Sequence, residues 1–443
     1  MRGVNMNRRE LLWGASTMLG ASALVPISIA QSSTRLSIDG GRLQAELEGL
    51  SEFGRPANGS FADGVSRVAY SDADVSGREY VLKLMRTAGL EPRIDTAGNI
   101  FGRRDGSDGS LKPILFGSHI DSVPSGGNFD GDLGSLAAIE VIRVLKNNSV
   151  TTRHPLEVVI WSNEEGGTVG SRATIGDIHL EDLDRMFNGV RMRDGVRKIG
   201  GDPDRLGEAR IKPGAFHCYL ELHIEQGANL HKAGIPIGVV EGIVSIDGYE
   251  VEIRGFANHA GTTPMPERRN ALLAAAKMIE LVQEVVTREP GRQVGTVGHL
   301  EVSPNARNVV PGLVKHSVEL RDLSPEKIAR LGQEIQKRAQ DVARDTKTEI
   351  SMKQIEHDDP AMATPGIKEQ IEAAAVDLGF KTMHLPSGAG HDAQIMAKLG
   401  PMGMIFVPSV DGISHSPKEL SRWEDCANGA NVLLQTVIRM DRS

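Results

Sequence analysis

The sequence predicts an α/β protein in which a mostly parallel sheet, covered by helices, is interrupted by a smaller inserted α/β unit. Three observations predict it. Apolar runs alternate with helical patterns in the first half, a different element order occupies 247–357, and the parallel-strand pattern resumes after it. With 443 residues, against a soft prior of ~150 residues per domain, the chain has room for both units.

The first 30 residues stand apart. Arg8 and Arg9 precede an uncharged stretch at 11–30, LLWGASTMLGASALVPISIA, closed by Ser28-Ile29-Ala30, a small-x-small cleavage signal. A transmembrane anchor of ~20 residues is the alternative, but the stretch is rich in Gly, Ser and Ala and only modestly apolar. Paired arginines before such a segment resemble a twin-arginine export signal. A periplasmic or secreted mature chain is expected, starting near Gln31, with no stable membrane insertion after cleavage.

An amphipathic helix is expected over 74–88. ILFG at 114–117, a helix over 133–146, LEVVIW at 156–161, YLELHI at 219–224 and MGMIFV at 402–407 then supply the buried strands and helical cover of a parallel sheet. Between them, GYEVEIRGFA, a helix over 270–287, QVGTVGHLEV, GLVKHSVELRDL, a helix over 325–345 and TEISMKQI give β-α-β-β-α-β, the ferredoxin-like order. HLPSGAGHD resumes the first pattern. The expected boundaries are 1–30 for the signal, 31–246 and 358–443 for the two parts of the larger domain, and 247–357 for the insert.

Composition narrows the partners. Hydrophobic residues are 40% and charged residues 24%, an ordinary soluble balance. Aromatics are only 4%, which argues against a base-stacking or sugar-binding platform. A net charge of -8 gives no positive field to collect polyanions, so nucleic acid is not an expected partner. Cys218 and Cys426 can form at most one disulfide, so oxidation does not hold this fold.

The strands of the larger unit run into chemistry-bearing residues at their C-terminal ends, the edge where open α/β sheets bind ligands. ILFG leads to His119 and Asp121 and then to the glycine-rich SGGNFDGDLG with Asp130. LEVVIW leads to Glu164 and Glu165, YLELHI ends in His223 and Gln226, and MGMIFV leads to His415. Each residue alone has a bland reading: a satisfied histidine, an Asx turn, a solvated glutamate pair. Coincidence at the ends of four separate strands is much rarer. Adjacent carboxylates repel unless a cation sits beside them, so three imidazoles, His119, His223 and His415, and three carboxylates, Asp130, Glu164 and Glu165, point to divalent metal: Zn, Mn, Co or Ni. Six candidates exceed one catalytic ion's needs and suit two ions sharing a carboxylate, with one Glu left as base.

GSHIDSV, GGNFDGDLG, NEEG, ELHIEQG, RGFANHAGTTPM, NVVPG with a following ELRD, SGAGHD and GISHSPKE occur in an order that resembles the M20-type metalloamidases, from about Asp74 to the end. Within that group they look like the N-carbamoyl-L-amino acid hydrolase and allantoate amidohydrolase branch. The resemblance implies a metallopeptidase-like catalytic domain with an inserted lid and dimerisation domain. It implies that His119 and His223 bind one metal, Asp130 bridges, Glu165 and His415 complete the other, and Glu164 shuttles the proton. Asp121 would orient the His119 imidazole. Gln226, His259, Asn308 and Arg321 would contact a small ureido or amide carboxylate, with His259 stabilising the oxyanion, and a homodimer would form. His391 in SGAGHD reads as a local structural residue.

The rival readings are an aminoacylase or dipeptidase of the same fold, which would place an acidic residue where this chain has His223, and a non-catalytic periplasmic binding protein, for which a base such as Glu164 has no use. One departure concerns substrate. Where the family generally carries an Arg-Phe segment after NEEG, only Gly167, Thr168 and Val169 precede Gly170-Ser171-Arg172-Ala173.

Overall fold

The computed structural model describes residues 35–179 and 181–443. The export-signal reading concerns residues 1–30 and lies outside the described residues. Among the described residues, nine strands form the larger sheet. Its centre is Leu156–Trp161, Ile114–His119, Cys218–Ile224 and Met402–Val407, side by side in that order and all parallel. These are the four apolar runs that the sequence marks as buried strands.

Burial on both faces explains why those runs are continuously apolar rather than alternating. Successive side chains still point to opposite faces. Ile114 and Phe116 join one core with helices Asp132–Asn147 and Trp423–Met440, whereas Leu115 joins another with Trp161, Tyr219 and Phe406. The result is a sheet sandwiched between two hydrophobic layers. No helix among the described residues is long and apolar enough to cross a membrane.

The flanks of this sheet depart from the expected pattern. A hairpin of Glu91–Ile94 and Ile100–Arg104 lies antiparallel against Leu156–Trp161. On the other side Ile237–Ile243 runs antiparallel to Met402–Val407, and it pairs with Ala361–Met362 and with Thr382–Ser387. The hairpin escapes a periodicity reading because its outer strand, EPRI, is largely exposed and charged.

Residues 245 to 358 build a second sheet. Leu313–Asp322 and Ser245–Arg254 form its centre, Glu349–Asp358 one edge, and Val294–Thr296 with Leu300–Ser303 the other, all antiparallel. Helices Ala271–Arg288 and Pro325–Thr346 cover one face, burying Val251, Ile253, Val314 and Val318. Both helices begin at a side-chain cap: Asn270 accepts from the Leu272 and Leu273 N–H groups, and Ser324 accepts from Lys327 N–H, followed by Pro325. The chain enters and leaves this sheet through adjacent segments, tied where Ser245 Oγ donates to the Asp358 carbonyl at 2.7 Å.

Candidate active site and metal centre

The C-terminal ends of the four central strands deliver the expected residues to one place. His119 ends Ile114–His119, Glu164 and Glu165 follow Leu156–Trp161, His223 is the penultimate residue of Cys218–Ile224, and His415 lies in the loop after Met402–Val407. Asp130 stands at their centre, in the turn before helix Asp132–Asn147. His119 Nε2 lies 3.5 Å and His223 Nε2 3.1 Å from Asp130 Oδ1. His415 Nε2 lies 3.4 Å from Asp130 Oδ2 and 3.6 Å from Glu165 Oε2. The glycine after Asp130 is required: Gly131 has φ 67°, and a Cβ there would fall 2.4 Å from the His119 ring.

Local backbone aims the imidazoles. His119 Nδ1 is 3.0 Å from the Asp121 carbonyl and His223 Nδ1 is 2.9 Å from the Ile224 carbonyl. Each Nδ1–H is thereby committed to a carbonyl, which leaves each Nε2 lone pair facing Asp130. His223 Nε2 is buried with no hydrogen-bond partner of good geometry among the described residues. An orphaned imidazole nitrogen aimed at a carboxylate is the donor that a cation completes. Two groups of candidate ligand atoms, each within 4.8 Å of one another, share Asp130: His119, Asp130 and His223, and Asp130, Glu165 and His415. The residues present therefore fit divalent metal.

Among protein groups alone this cluster is electrostatically uncomfortable. Burial, with Asp130 adding to it, pushes Glu165 up to about 7. Burial also raises Glu164 well above the usual carboxylate range, partly offset by His119. Asp130 is held well below that range: burial opposes this, and His223, His119 and His415 overcome it. The hydrogen bond to Asp130 raises His415 to about 9.

Asp121 differs from expectation. Its carbonyl, not its carboxylate, receives His119 Nδ1–H; the nearer carboxylate oxygen is 3.9 Å away. The carboxylate instead accepts the backbone N–H groups of Glu164 and Glu165. Gln226, in left-handed backbone at φ 58°, donates from Nε2 to Asp130 Oδ2 at 2.7 Å. His391 packs edge-on against the His223 ring, with centroids 4.5 Å apart, and its Nε2 is 2.8 Å from Ser387 Oγ.

The sequence reading missed two supports. Glu419 accepts the Phe129 and Asp130 N–H groups on Oε1 and the Ser414 hydroxyl on Oε2, and burial pushes it up to about 7. It closes the GISHSPKE motif, yet a glutamate in a loop gives no local sign of such a role. Arg67 is fully buried, pairs with Asp132, and donates to the Ile120 carbonyl at 2.6 Å, bracing the segment between His119 and Asp121.

A cavity of about 510 Å³ opens over the cluster, lined by Asp130, Glu164, Glu165, His223, Gln226 and His415 and reaching Arg321 on the second sheet. Arg321 Nε donates to Glu319 at 2.8 Å and Nη1 to the Gly388 carbonyl at 2.6 Å. His259 and Asn308 are not brought to this cavity. Both are exposed, beside or on the short ladder of Asn258–His259 with Val309–Val310. The turn after the glutamate pair is tight: Gly167 and Thr168 N–H groups both return to the Glu164 carbonyl, at 2.9 and 2.7 Å. Cys218 and Cys426 are buried free thiols.

Comparison with known proteins shows the family to which the chain belongs. The model of peptidase family M20/M25/M40 matches residues 115–439. An N-carbamoyl-L-amino acid amidohydrolase of Geobacillus stearothermophilus is 41% identical over 406 residues, 90% of this chain and 98% of that protein. A ureidoglycolate hydrolase of Arabidopsis thaliana is 37% identical over 428 residues, 94% of this chain and 88% of that protein. The crystal structure of a hydantoinase/carbamoylase family amidase from Burkholderia multivorans superposes with a TM-score of 0.85 at 36% identity, covering 92% of this chain and 99% of that one. The chain is thus a hydrolase that belongs to peptidase family M20/M25/M40, on the branch of the N-carbamoyl-L-amino acid amidohydrolases and hydantoinase/carbamoylase amidases.

Proposed function

We propose that the protein is a dinuclear metal-dependent amidohydrolase that cleaves the ureido C–N bond of a small carboxylate substrate, an N-carbamoyl-L-amino acid or a compound of allantoate or ureidoglycolate type, with Glu164 as general base. One observation carries this reading: two candidate ligand groups share Asp130, and Glu164, 3.8 Å from His119, belongs to neither. His119 and His223 would hold one ion and Glu165 and His415 the other, with Asp130 between. Bound there, divalent cations supply carbonyl polarisation and a more acidic water.

The chain's own groups do the rest. Glu164 takes the proton of the attacking water on its carboxylate and returns it to the leaving nitrogen. Arg321, at the cavity's far side, offers a planar fork to the substrate carboxylate.

His259 and Asn308 reach substrate from a second copy of the chain in a homodimer. Their exposure away from their own cavity supports this, as do the exposed Leu272, Leu273 and Leu300 on the second unit. Residues 247–357 thereby serve as both lid and dimerisation unit. Export through the twin-arginine signal completes the reading; replacing Arg8 and Arg9 by Lys should hold the protein in the cytoplasm of a bacterial host.

The deciding experiment is ammonia release from N-carbamoyl-L-amino acids, allantoate, ureidoglycolate and β-ureidopropionate by metal-loaded protein. Turnover of one or more of these is expected. Cleavage confined to N-acyl amino acids or dipeptides would overturn the ureido assignment.

A further inference from the structure

Behind the glutamate turn lies a second buried acidic pair that the proposed reaction does not use. Glu221 and Asp392 are 1% and 0% exposed. Glu221, on Cys218–Ile224, accepts from Ser118 Oγ at 2.7 Å and Ala393 N–H at 3.1 Å, and the Tyr219 hydroxyl, 3.0 Å away, divides its proton between Glu221 and the Gly117 carbonyl at 3.1 Å. Asp392 opens helix Asp392–Met396, and among the described residues its carboxyl has one hydrogen-bond partner, Ser171 Oγ, 2.5 Å from Oδ1. Its Oδ2 is buried with no partner among the described residues.

Ser171 stands in helix Val169–Ile175, and its Oγ is also 3.1 Å from the Thr168 carbonyl. A hydroxyl has one proton and cannot give it to both neighbours. An ionised Asp392 would be a buried charge with one donor and one bare oxygen, the costly case. A carboxylic acid in the same position gives its own proton to Ser171 Oγ, frees the hydroxyl proton for Thr168, and leaves only a neutral oxygen unpaired.

We propose that Asp392 is a neutral carboxylic acid and a positioning residue: it donates to Ser171, Ser171 donates to the Thr168 carbonyl, and this chain pins the turn that presents Glu164. The last link is already formed, since Thr168 N–H donates to the Glu164 carbonyl at 2.7 Å. The charged groups around Asp392 agree. Burial and Glu221, with Asp121 adding, raise it well above the usual carboxylate range, against His119 and the Ser171 contact. The catalytic consequence rests on Glu164 being the base proposed above; the protonation state does not.

Two variants test this. Asp392→Asn keeps a donor toward Ser171, so it should retain kcat within about threefold, whereas Ser171→Ala should lower kcat roughly 10- to 100-fold through loss of alignment. KM and bound metal should stay unchanged in both. Infrared difference spectra of wild type minus Asp392→Asn at neutral pH should show one protonated-carboxyl C=O band. A difference containing only carboxylate bands overturns the proposal. So does an Asp392→Asn variant that folds but loses as much kcat as Ser171→Ala, or a Ser171→Ala variant that loses none. If no ureido compound is turned over, the functional assignment fails by itself, and the infrared result still decides the state of Asp392.

Discussion

Asp121 holds the backbone of Glu164: one carboxylate oxygen accepts the Glu164 N–H at 3.1 Å while the other accepts the Glu165 N–H at 3.2 Å. This two-pronged contact fixes the two peptides that flank Glu164, and the glutamate side chains diverge. Glu165 approaches His415 at 3.6 Å and Glu164 approaches His119 at 3.8 Å. Adjacent carboxylates can therefore take different tasks.

That division predicts the behaviour of Glu164→Gln. Removing the proton acceptor while keeping shape should lower kcat by roughly 10²–10⁴-fold and leave both metal ions bound. Steady-state kinetics with elemental analysis checks it. Loss of metal from the variant would make Glu164 a ligand and reverse the assignment.

Chelation should abolish activity, and Zn, Mn or Co should restore it. Since Asp130 lies between the two candidate groups and His415 in only one, Asp130→Asn should weaken both ions and His415→Ala only one. Full activity in thoroughly chelated protein would sink the metal mechanism.

Arg321→Lys replaces a planar fork by a point charge. It should lower kcat/KM for carboxylate substrates by ~10²-fold, about 3 kcal/mol of transition-state stabilisation, and affect an uncharged ureido analogue far less. The substrate must also compete with Glu319 and the Gly388 carbonyl for the same guanidinium. Equal losses on both substrates would make Arg321 a structural tie between the two sheets.

Exposed His259, remote from its own cavity, predicts intersubunit complementation. Mixing Glu164→Gln with His259→Ala subunits should regenerate activity in the heterodimer, because one of its two sites then carries both intact residues. A fully active monomer would contradict this.

Arg67→Met strands a buried carboxylate. The loss should be about 3–5 kcal/mol in denaturant unfolding, since Asp132 keeps no cation and the Leu50, Phe53 and Ile120 carbonyls lose their donor. Asp132 is already pushed up to about 6 by burial, against Arg67. The folded protein thus binds that proton more tightly than the unfolded chain, and this group's contribution falls as pH rises through about 6. Without Arg67 the fall steepens, so the deficit should be smaller near about pH 4 than near about pH 7. A deficit independent of pH would assign the loss to packing alone.

The central strands and the residues at their ends were legible because each is encoded locally: a buried apolar run followed by a polar tip. The β-α-β-β-α-β order was legible for the same reason, since each element carries its own period or cap. What escaped depends on residues far apart in sequence. Glu419 reaches Asp130 across 289 positions and Ser171 reaches Asp392 across 221, and no local pattern announces either. Asp121 is marked by its spacing from His119, but spacing alone does not tell which of its oxygens faces the imidazole.

The two thiols bear on where such a chain can work. Cys218 and Cys426 are both buried and unpaired, and burial pushes Cys218 up to about 12 and Cys426 higher still. Only the thiolate attacks disulfides and oxidants, so at neutral pH almost none of the reactive form exists at either position. Thiol–disulfide chemistry accordingly leaves the folded chain unchanged: glutathione has no disulfide to break and an oxidising compartment finds almost no thiolate. Moving such a fold between reducing and oxidising surroundings makes and breaks no disulfide.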